Sequence, residues 1–183
     1  MDDKIKTPVV SVYGSSMVGA RSRDYREAQR MGSLLASAGA RVACGGYGGV
    51  MEAVSRGATT AGGHVTGYTV AAFKNRSPNP FLSEERRCSD LYERLKCLIH
   101  ESDAMVALNG GIGTLVEVFL AWNELYMGLI SPRPLVLVGE IWETAVARLS
   151  SLMELRQGHL KLVNFCSDTD SALALLKRRG VVG

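Results

Sequence analysis

The sequence has no run of about 18 apolar residues, so it offers no membrane-spanning helix. Its first residues, MDDKIKTPVVSVYG, are charged and lack the apolar stretch expected of a secretory signal. Only four cysteines occur, Cys44, Cys88, Cys97 and Cys166, and no two are spaced as C-x-x-C. That argues against a zinc ribbon or a disulfide framework and suits a reducing, cytoplasmic setting. The three histidines, His64, His100 and His159, are far apart and show no ligand spacing, so no metal is expected. Charge of either sign is in short supply: 21 Lys and Arg against 18 Asp and Glu leave +3. Without a basic block, and with only 7 % aromatic residues, nothing points to nucleic acid. Five prolines and 46 % hydrophobic residues exclude a collagen-like or disordered chain.

Glycine is what the chain has in excess, at 20 of 183 residues against a usual ~7 %. Its placement follows from the order of elements. Strands are expected at Pro8 to Tyr13, Arg41 to Cys44, His64 to Tyr68, Ala104 to Leu108, Pro134 to Val138 and Lys161 to Phe165. Helical spacing covers Asp24 to Ala38, Gly49 to Ala61, Leu91 to Glu101, Thr114 to Tyr126, Ile141 to Leu155 and Ser171 to Arg179. Ala71 to Asp90, with Pro78, Pro80 and several charges, reads as a long irregular stretch. Such alternation predicts an α/β fold: one Rossmann-like, doubly wound parallel sheet with helices on both faces. The length suits a single domain over residues 1–183, with its core at about 8–179. Ligands of such sheets bind outside the carboxyl ends of the strands.

Two glycine clusters fall at those ends. Gly45-Gly46-Tyr47-Gly48-Gly49 follows the second strand, and Gly110-Gly111-Ile112-Gly113-Thr114 follows the strand Ala104 to Leu108. Glycine lets backbone N–H groups approach a ligand, and a helix N-terminus favours an anion. Two such turns on one edge favour a phosphorylated ligand over two plain tight turns. Neither is a Walker A loop, and neither matches G-x-G-x-x-G at the first strand-to-helix turn. That turn is Gly14-Ser15-Ser16, whose hydroxyls suit either a phosphate or a helix cap.

Glu117 has two readings. Thr114-Leu115-Val116-Glu117 has the spacing of a capping box. The surrounding LVEVFLAW is apolar on nearly every side, which implies a buried helix in which a carboxylate needs a partner or a site. Arg94 falls at the border of an inward stripe of Leu91, Leu95 and Leu98, where an arginine commonly snorkels. Asp90 with Glu93 reads as a helix start. Arg76, Arg86 and Arg87 read as solvated loop residues, or as a lid over an anionic substrate.

Taken together, Asn109 to Glu117 resembles the PGGxGTxxE signature of the Lonely Guy (LOG) family. Gly14-Ser15-Ser16, GGYGGVMEAVSRGA from Gly45 to Ala58, and Glu93-Arg94 match in the same order. Two positions depart from the pattern: Asn109 replaces the signature proline, and the lysine usually beside the arginine is displaced to Lys96. The resemblance implies a cytokinin riboside 5′-monophosphate phosphoribohydrolase. Such an enzyme splits a nucleoside 5′-monophosphate, cytokinin riboside monophosphate or AMP-like, into free base and ribose 5-phosphate. It implies Arg94 and Glu117 as the catalytic pair and Gly110 to Thr114 as the phosphate cradle. Gly45, Gly46, Gly49, Met51 and Glu52 would shape the ribose and base side. It further implies a homodimer and no cofactor. The alternative is a non-catalytic carrier of a phosphorylated ligand such as molybdenum cofactor, which has no need of the carboxylate. A single-stranded-DNA-binding relative is disfavoured by the weak charge. A true lysine decarboxylase is disfavoured because neither glycine turn holds a lysine for pyridoxal phosphate.

Overall fold

The computed structural model describes residues 7–73 and 76–183. Seven strands form one sheet in the order β4-β3-β2-β1-β5-β6-β7, every neighbouring pair parallel. They are β1 (Val9–Tyr13), β2 (Arg41–Cys44), β3 (Val65–Val70), β4 (Glu84–Cys88), β5 (Ala104–Ala107), β6 (Leu135–Val138) and β7 (Val163–Cys166). The helices are α1 (Arg23–Ser37), α2 (Val50–Thr60), α3 (Leu91–His100), α4 (Ile112–Met127), α5 (Glu140–Leu152), α6 (Gln157–Leu160) and α7 (Thr169–Arg178). Among the described residues, no helix is long and apolar enough to cross a membrane.

Parallel strands covered on both faces read as continuous apolar runs, and β1, β5 and β6 are buried almost throughout. Val10, Val12, Val42 and Val106 pack with Tyr25, Met31 and Leu35 of α1, Val50 and Val54 of α2 and Leu176 of α7. On the other face Tyr13, Met105, Leu135 and Leu137 pack with Leu98 and Ile99 of α3, Val118 and Trp122 of α4 and Trp142 of α5. The doubly wound sheet expected from the alternation is therefore present. The order in which strands are added reverses between β1 and β5, the switch point where ligands of such sheets enter.

The stretch Ala71 to Asp90 is not wholly irregular: it contains edge strand β4, paired with β3 from Thr66↔Glu84 to Val70↔Cys88. Its sequence, EERRC, is exposed except at Cys88. An edge strand with charges along its length carries neither apolar alternation nor a buried run, so the pattern hides it. Arg86 pairs with Glu101 and lies 5.1 Å over the Tyr68 ring, and Arg87 lies 3.2 Å from Glu85. Both arginines lie on the edge strand, where Arg86 ties β4 to Glu101. The short helix α6 was also hidden within the expected interval between α5 and β7.

Helices α1 and α2 touch backbone to backbone. A Cβ on Gly32 would lie 2.1 Å from the Val54 carbonyl oxygen, and one on Gly57 would lie 1.9 Å from that of Gln29. This contact sets α2, and with it the Gly45 to Gly49 turn, against α1. Gly32→Ala is expected to lower stability by about 1–3 kcal/mol through overpacking, despite alanine's better helix propensity. Urea denaturation followed by circular dichroism measures the difference.

Candidate active site

Strands β1 and β5 end in register, Tyr13 opposite Ala107, so the turns that follow them meet. Ser15 stitches these turns together. Its N–H donates to the Asn109 carbonyl at 3.1 Å, and its own carbonyl accepts from the Val50 N–H at 2.8 Å. Gly14-Ser15-Ser16, Gly45 to Gly49 and Asn109 to Thr114 thus form one continuous rim. Ser15 and Ser16 cap no helix: α1 is capped by Ser22, which accepts from Tyr25 N–H at 3.1 Å. The Ser15 hydroxyl instead accepts from Met17 N–H at 3.0 Å.

The glycines of the rim serve different contacts. Gly49 has φ +70°, and a Cβ there would meet the Ser15 carbonyl oxygen at 2.3 Å. A Cβ on Gly14 would strike Val50 at 2.4 Å. Gly46 and Tyr47 are held from outside the turn. Asn79 donates its backbone N–H to the Gly46 carbonyl at 2.8 Å and its amide to the Tyr47 carbonyl at 3.1 Å. The Tyr47 hydroxyl accepts from Val70 N–H at 2.8 Å. Asn79 and Tyr47 escaped the sequence reading because each acts on a turn distant in the chain. Gly111 and Gly113 face open space, whereas Gly110 rests on the buried Thr114 side chain and Ile112 is exposed.

The helices that leave the glycine turns begin, like α5 at Gly139, without a side-chain cap, unlike α1, α3 and α7. Asp90 caps α3 and Asp168 caps α7, each accepting a backbone N–H at 2.8 Å. By contrast α2 starts at Gly49 and α4 at Gly111, with no side-chain cap. The N–H groups of a first helical turn have no intrahelical partner, so α4 presents bare donors at the rim. The capping-box reading of Glu117 is overturned here. The helix starts two residues before Thr114, so Glu117 lies beyond its first turn and cannot reach back to the cap. Nor is the helix buried all round, since Val116 and Phe119 are exposed.

Arg94 lies inside the protein, contrary to the border position predicted for it. The buried residues of α3 are Arg94, Leu95, Leu98 and Ile99, while Leu91 is 42 % exposed. Leu91 opens the helix beyond the sheet, so the inward stripe is rotated toward Arg94. The guanidinium has three partners. Nε donates to the Tyr68 carbonyl at 2.9 Å, Nη1 lies 3.5 Å from Glu117 Oε1, and Nη2 lies 3.8 Å from Met51 Sδ. A Cβ on Gly45 would sit 1.7 Å from Nη2, so the guanidinium occupies the space a side chain would need. The two side chains are only 9 % and 10 % exposed. The structure therefore brings Arg94, Glu117, Met51 and Gly45 together. Glu52, next in α2, accepts from the Tyr25 hydroxyl at 2.9 Å. Glu93 is exposed and bonds Ser89.

A separate cavity of about 360 Å³ lies beyond Asn109, between the first turns of α1, α5 and α7. Asp24, Glu27, Glu140 and Asp168 against the single Arg23 give it an acidic lining, and neither Arg94 nor Glu117 is part of it. Asn109, in place of the signature proline, donates its amide to Asp24 at 2.9 Å and forms the wall between the cavity and the rim. Among the described residues, no group of three or more His, Cys, Asp or Glu side chains converges to hold a metal.

Burial pushes the Glu117 carboxyl up to about 7, and the Arg94 charge opposes that rise without cancelling it. The folded protein therefore holds this proton more tightly than the unfolded chain does. Stability from this group is fully present below the ordinary glutamate range and is lost as pH rises through about 7. Glu117→Gln is expected to be more stable than the wild type at pH 8, by roughly 1–3 kcal/mol, with the gap closing toward pH 4. Denaturant melts at the two pH values check this.

Residues 7–149 match the SLOG cluster4 family. The chain is 30 % identical over 136 residues to a cytokinin riboside 5′-monophosphate phosphoribohydrolase of Rhodococcoides fascians, covering 72 % of this chain and 67 % of that one. It is 34 % identical over 95 residues to the protein of the same name from Mycobacterium tuberculosis, covering 51 % of this chain and 50 % of that one. This chain thus spans about half the length of that relative. Among solved structures it resembles the molybdenum cofactor binding protein of Rippkaea orientalis. The TM-score is 0.74, with 23 % identity, over 96 % of this chain and 98 % of that one. At that identity the likeness speaks to fold alone. With its parallel sheet, its paired glycine turns and a match over most of its length, this chain belongs to the SLOG cluster4 family.

Proposed function

We propose that this protein hydrolyses the N-glycosidic bond of a nucleoside 5′-monophosphate, releasing free base and ribose 5-phosphate. The observation that carries the proposal is the buried Arg94–Glu117 pair beside the uncapped N-terminus of α4. The names of the sequence relatives support the same reading. The 5′-phosphate would take the free N–H groups from Gly111 to Gly113 and the favourable end of the helix dipole. Glu117 lies about one turn further along α4, ~6 Å at 1.5 Å per residue, a reach that crosses a ribose toward C1′. The Gly45 to Gly49 turn, with Met51 and Glu52, would line the sugar.

Breaking the C1′–N bond sends its electron pair to the base and leaves positive charge on C1′ and the ring oxygen. An ionised Glu117 stabilises that charge and takes a proton from the water that adds to C1′. Glu117 then passes that proton to the departing base, so water supplies both the hydroxyl on the sugar and the proton on the base. Arg94 favours the ionised carboxylate and orients it. We further propose that a second copy covers the exposed stripe of α4, Ile112, Val116, Phe119, Tyr126 and Met127, giving a homodimer. Light scattering of the purified protein would then report two chains.

A second reading is a binding protein for a phosphorylated ligand such as molybdenum cofactor. It would use the same uncapped start of α4, because the separate cavity of about 360 Å³ is lined by four carboxylates against one arginine and disfavours a phosphate. That reading predicts pterin cofactor binding without turnover.

The deciding assay measures ribose 5-phosphate release from AMP and from isopentenyladenosine 5′-monophosphate. Glu117→Ala and Arg94→Ala are each expected to lower kcat by about 10²–10³. With Glu117 acting ionised, kcat/KM should climb with pH and level off above about 7. Removing Arg94 should move that rise to higher pH, because burial is then unopposed. A folded wild type that releases no ribose 5-phosphate from any nucleoside monophosphate overturns the proposal.

A further inference from the structure

Helices α2 and α4 both start at a glycine without a side-chain cap, yet their first turns differ in charge. The first turn of α4 holds no acidic residue, whereas that of α2 holds Glu52. A carboxylate there offsets the helix dipole and repels an anion. A phosphate is thereby directed to α4, and α2 is left for a neutral part of the ligand that donates hydrogen bonds.

Glu52 is held for such a role. Its Oε1 accepts from the hydroxyl of Tyr25, a residue of α1 that is only 3 % exposed. Its Oε2 points toward Gly48, where an added Cβ would lie 3.9 Å away. Gly48 has no side chain to cover that oxygen, and Glu52 is itself only half-buried. Arg56, one turn along, lies over the Phe81 ring at 5.7 Å and beside the Tyr25 hydroxyl, and among the described residues it forms no ion pair with Glu52. The result is a carboxylate with one oxygen anchored and the other turned to the rim. An ionised carboxylate only accepts. The donors a nucleotide offers on its sugar are the 2′- and 3′-hydroxyls.

We propose that Glu52 Oε2 accepts a hydrogen bond from a ribose hydroxyl, with Tyr25 as the positioning residue that fixes the carboxylate, so that the site selects ribonucleotides over deoxyribonucleotides. This rests on the nucleotide-hydrolase reading above. A site built to pair with a hydroxyl discriminates against the analogue that lacks it, because the partner oxygen, once the ligand covers it, is left unsatisfied.

Steady-state kinetics with AMP, 2′-deoxy-AMP and 3′-deoxy-AMP test the proposal in the wild type, Glu52→Gln and Tyr25→Phe. In the wild type, KM for at least one deoxy analogue is expected to exceed that for AMP by about tenfold or more. Glu52→Gln should bring that ratio within about threefold. Tyr25→Phe, which keeps the packed ring and removes only the hydroxyl, should reduce it by a smaller factor. A general loss of structure would lower kcat for all three substrates and leave the ratio unchanged. The same ratio in the wild type and both variants overturns the proposal, as does a wild type that does not distinguish the three nucleotides. Should the wild type hydrolyse none of them, the hydrolase reading fails on its own. Calorimetric binding of the same nucleotides to the same proteins then decides the role of Glu52.

Discussion

An arginine and a glutamate kept together away from water are the constraint around which the carboxyl edge of this sheet is arranged. Burying either charge alone costs several kcal/mol, and burying both is tolerable only if each finds partners. The structure meets that demand by subtraction as much as by addition. Gly45 gives up the volume that the Arg94 guanidinium fills. The Tyr68 carbonyl and the Met51 sulfur take two more of its faces. Glu117 receives a single charged contact, at 3.5 Å. That is too little to offset its desolvation, so its carboxyl remains poised near neutrality. A group so placed works against stability near neutral pH, and such sacrifices are common where chemistry is carried out.

The same edge explains why three separate turns behave as one site. Ser15 accepts and donates to its neighbours on either side, so the backbone, and not any side chain, sets the spacing between the two glycine turns. Gly49 at φ +70° permits the close pass over Ser15. Further back, Gly32 and Gly57 let α1 and α2 meet at backbone distance, which carries Tyr25 within reach of Glu52. Much of the glycine excess therefore serves close approach between chain segments. Only Gly111 and Gly113 of the second turn are left facing open space, where a ligand could take the backbone donors.

Most of the fold was legible in the sequence, because parallel strands buried on both faces read as apolar runs and their helices as amphipathic ones. The exceptions are instructive. Strand β4 carries charge on almost every residue and is held by pairing to β3, a contact that no local pattern announces. Helical spacing puts Arg94 at a helix border only if Leu91 faces inward, and Leu91 is exposed. Sheet geometry placed the buried stripe elsewhere. The T-x-x-E spacing around Glu117 suggested a cap, but the helix starts two residues earlier, at a glycine. Asn79 and Tyr47 gave no signal, since each is meaningful only through a turn far away in the chain.

By itself, then, the order of residues determined the element types, the parallel architecture, and the placement of both glycine turns at strand carboxyl ends. These follow from periodicity and from glycine's conformational freedom, which are local properties. Only the tertiary structure decided that Arg94 faces inward, that it meets Glu117 under Gly45, and that Tyr25 anchors one oxygen of Glu52. Those outcomes depend on helix rotation and on distances between segments remote in sequence. Burial, which raises the Glu117 carboxyl, comes into being only when the segments pack.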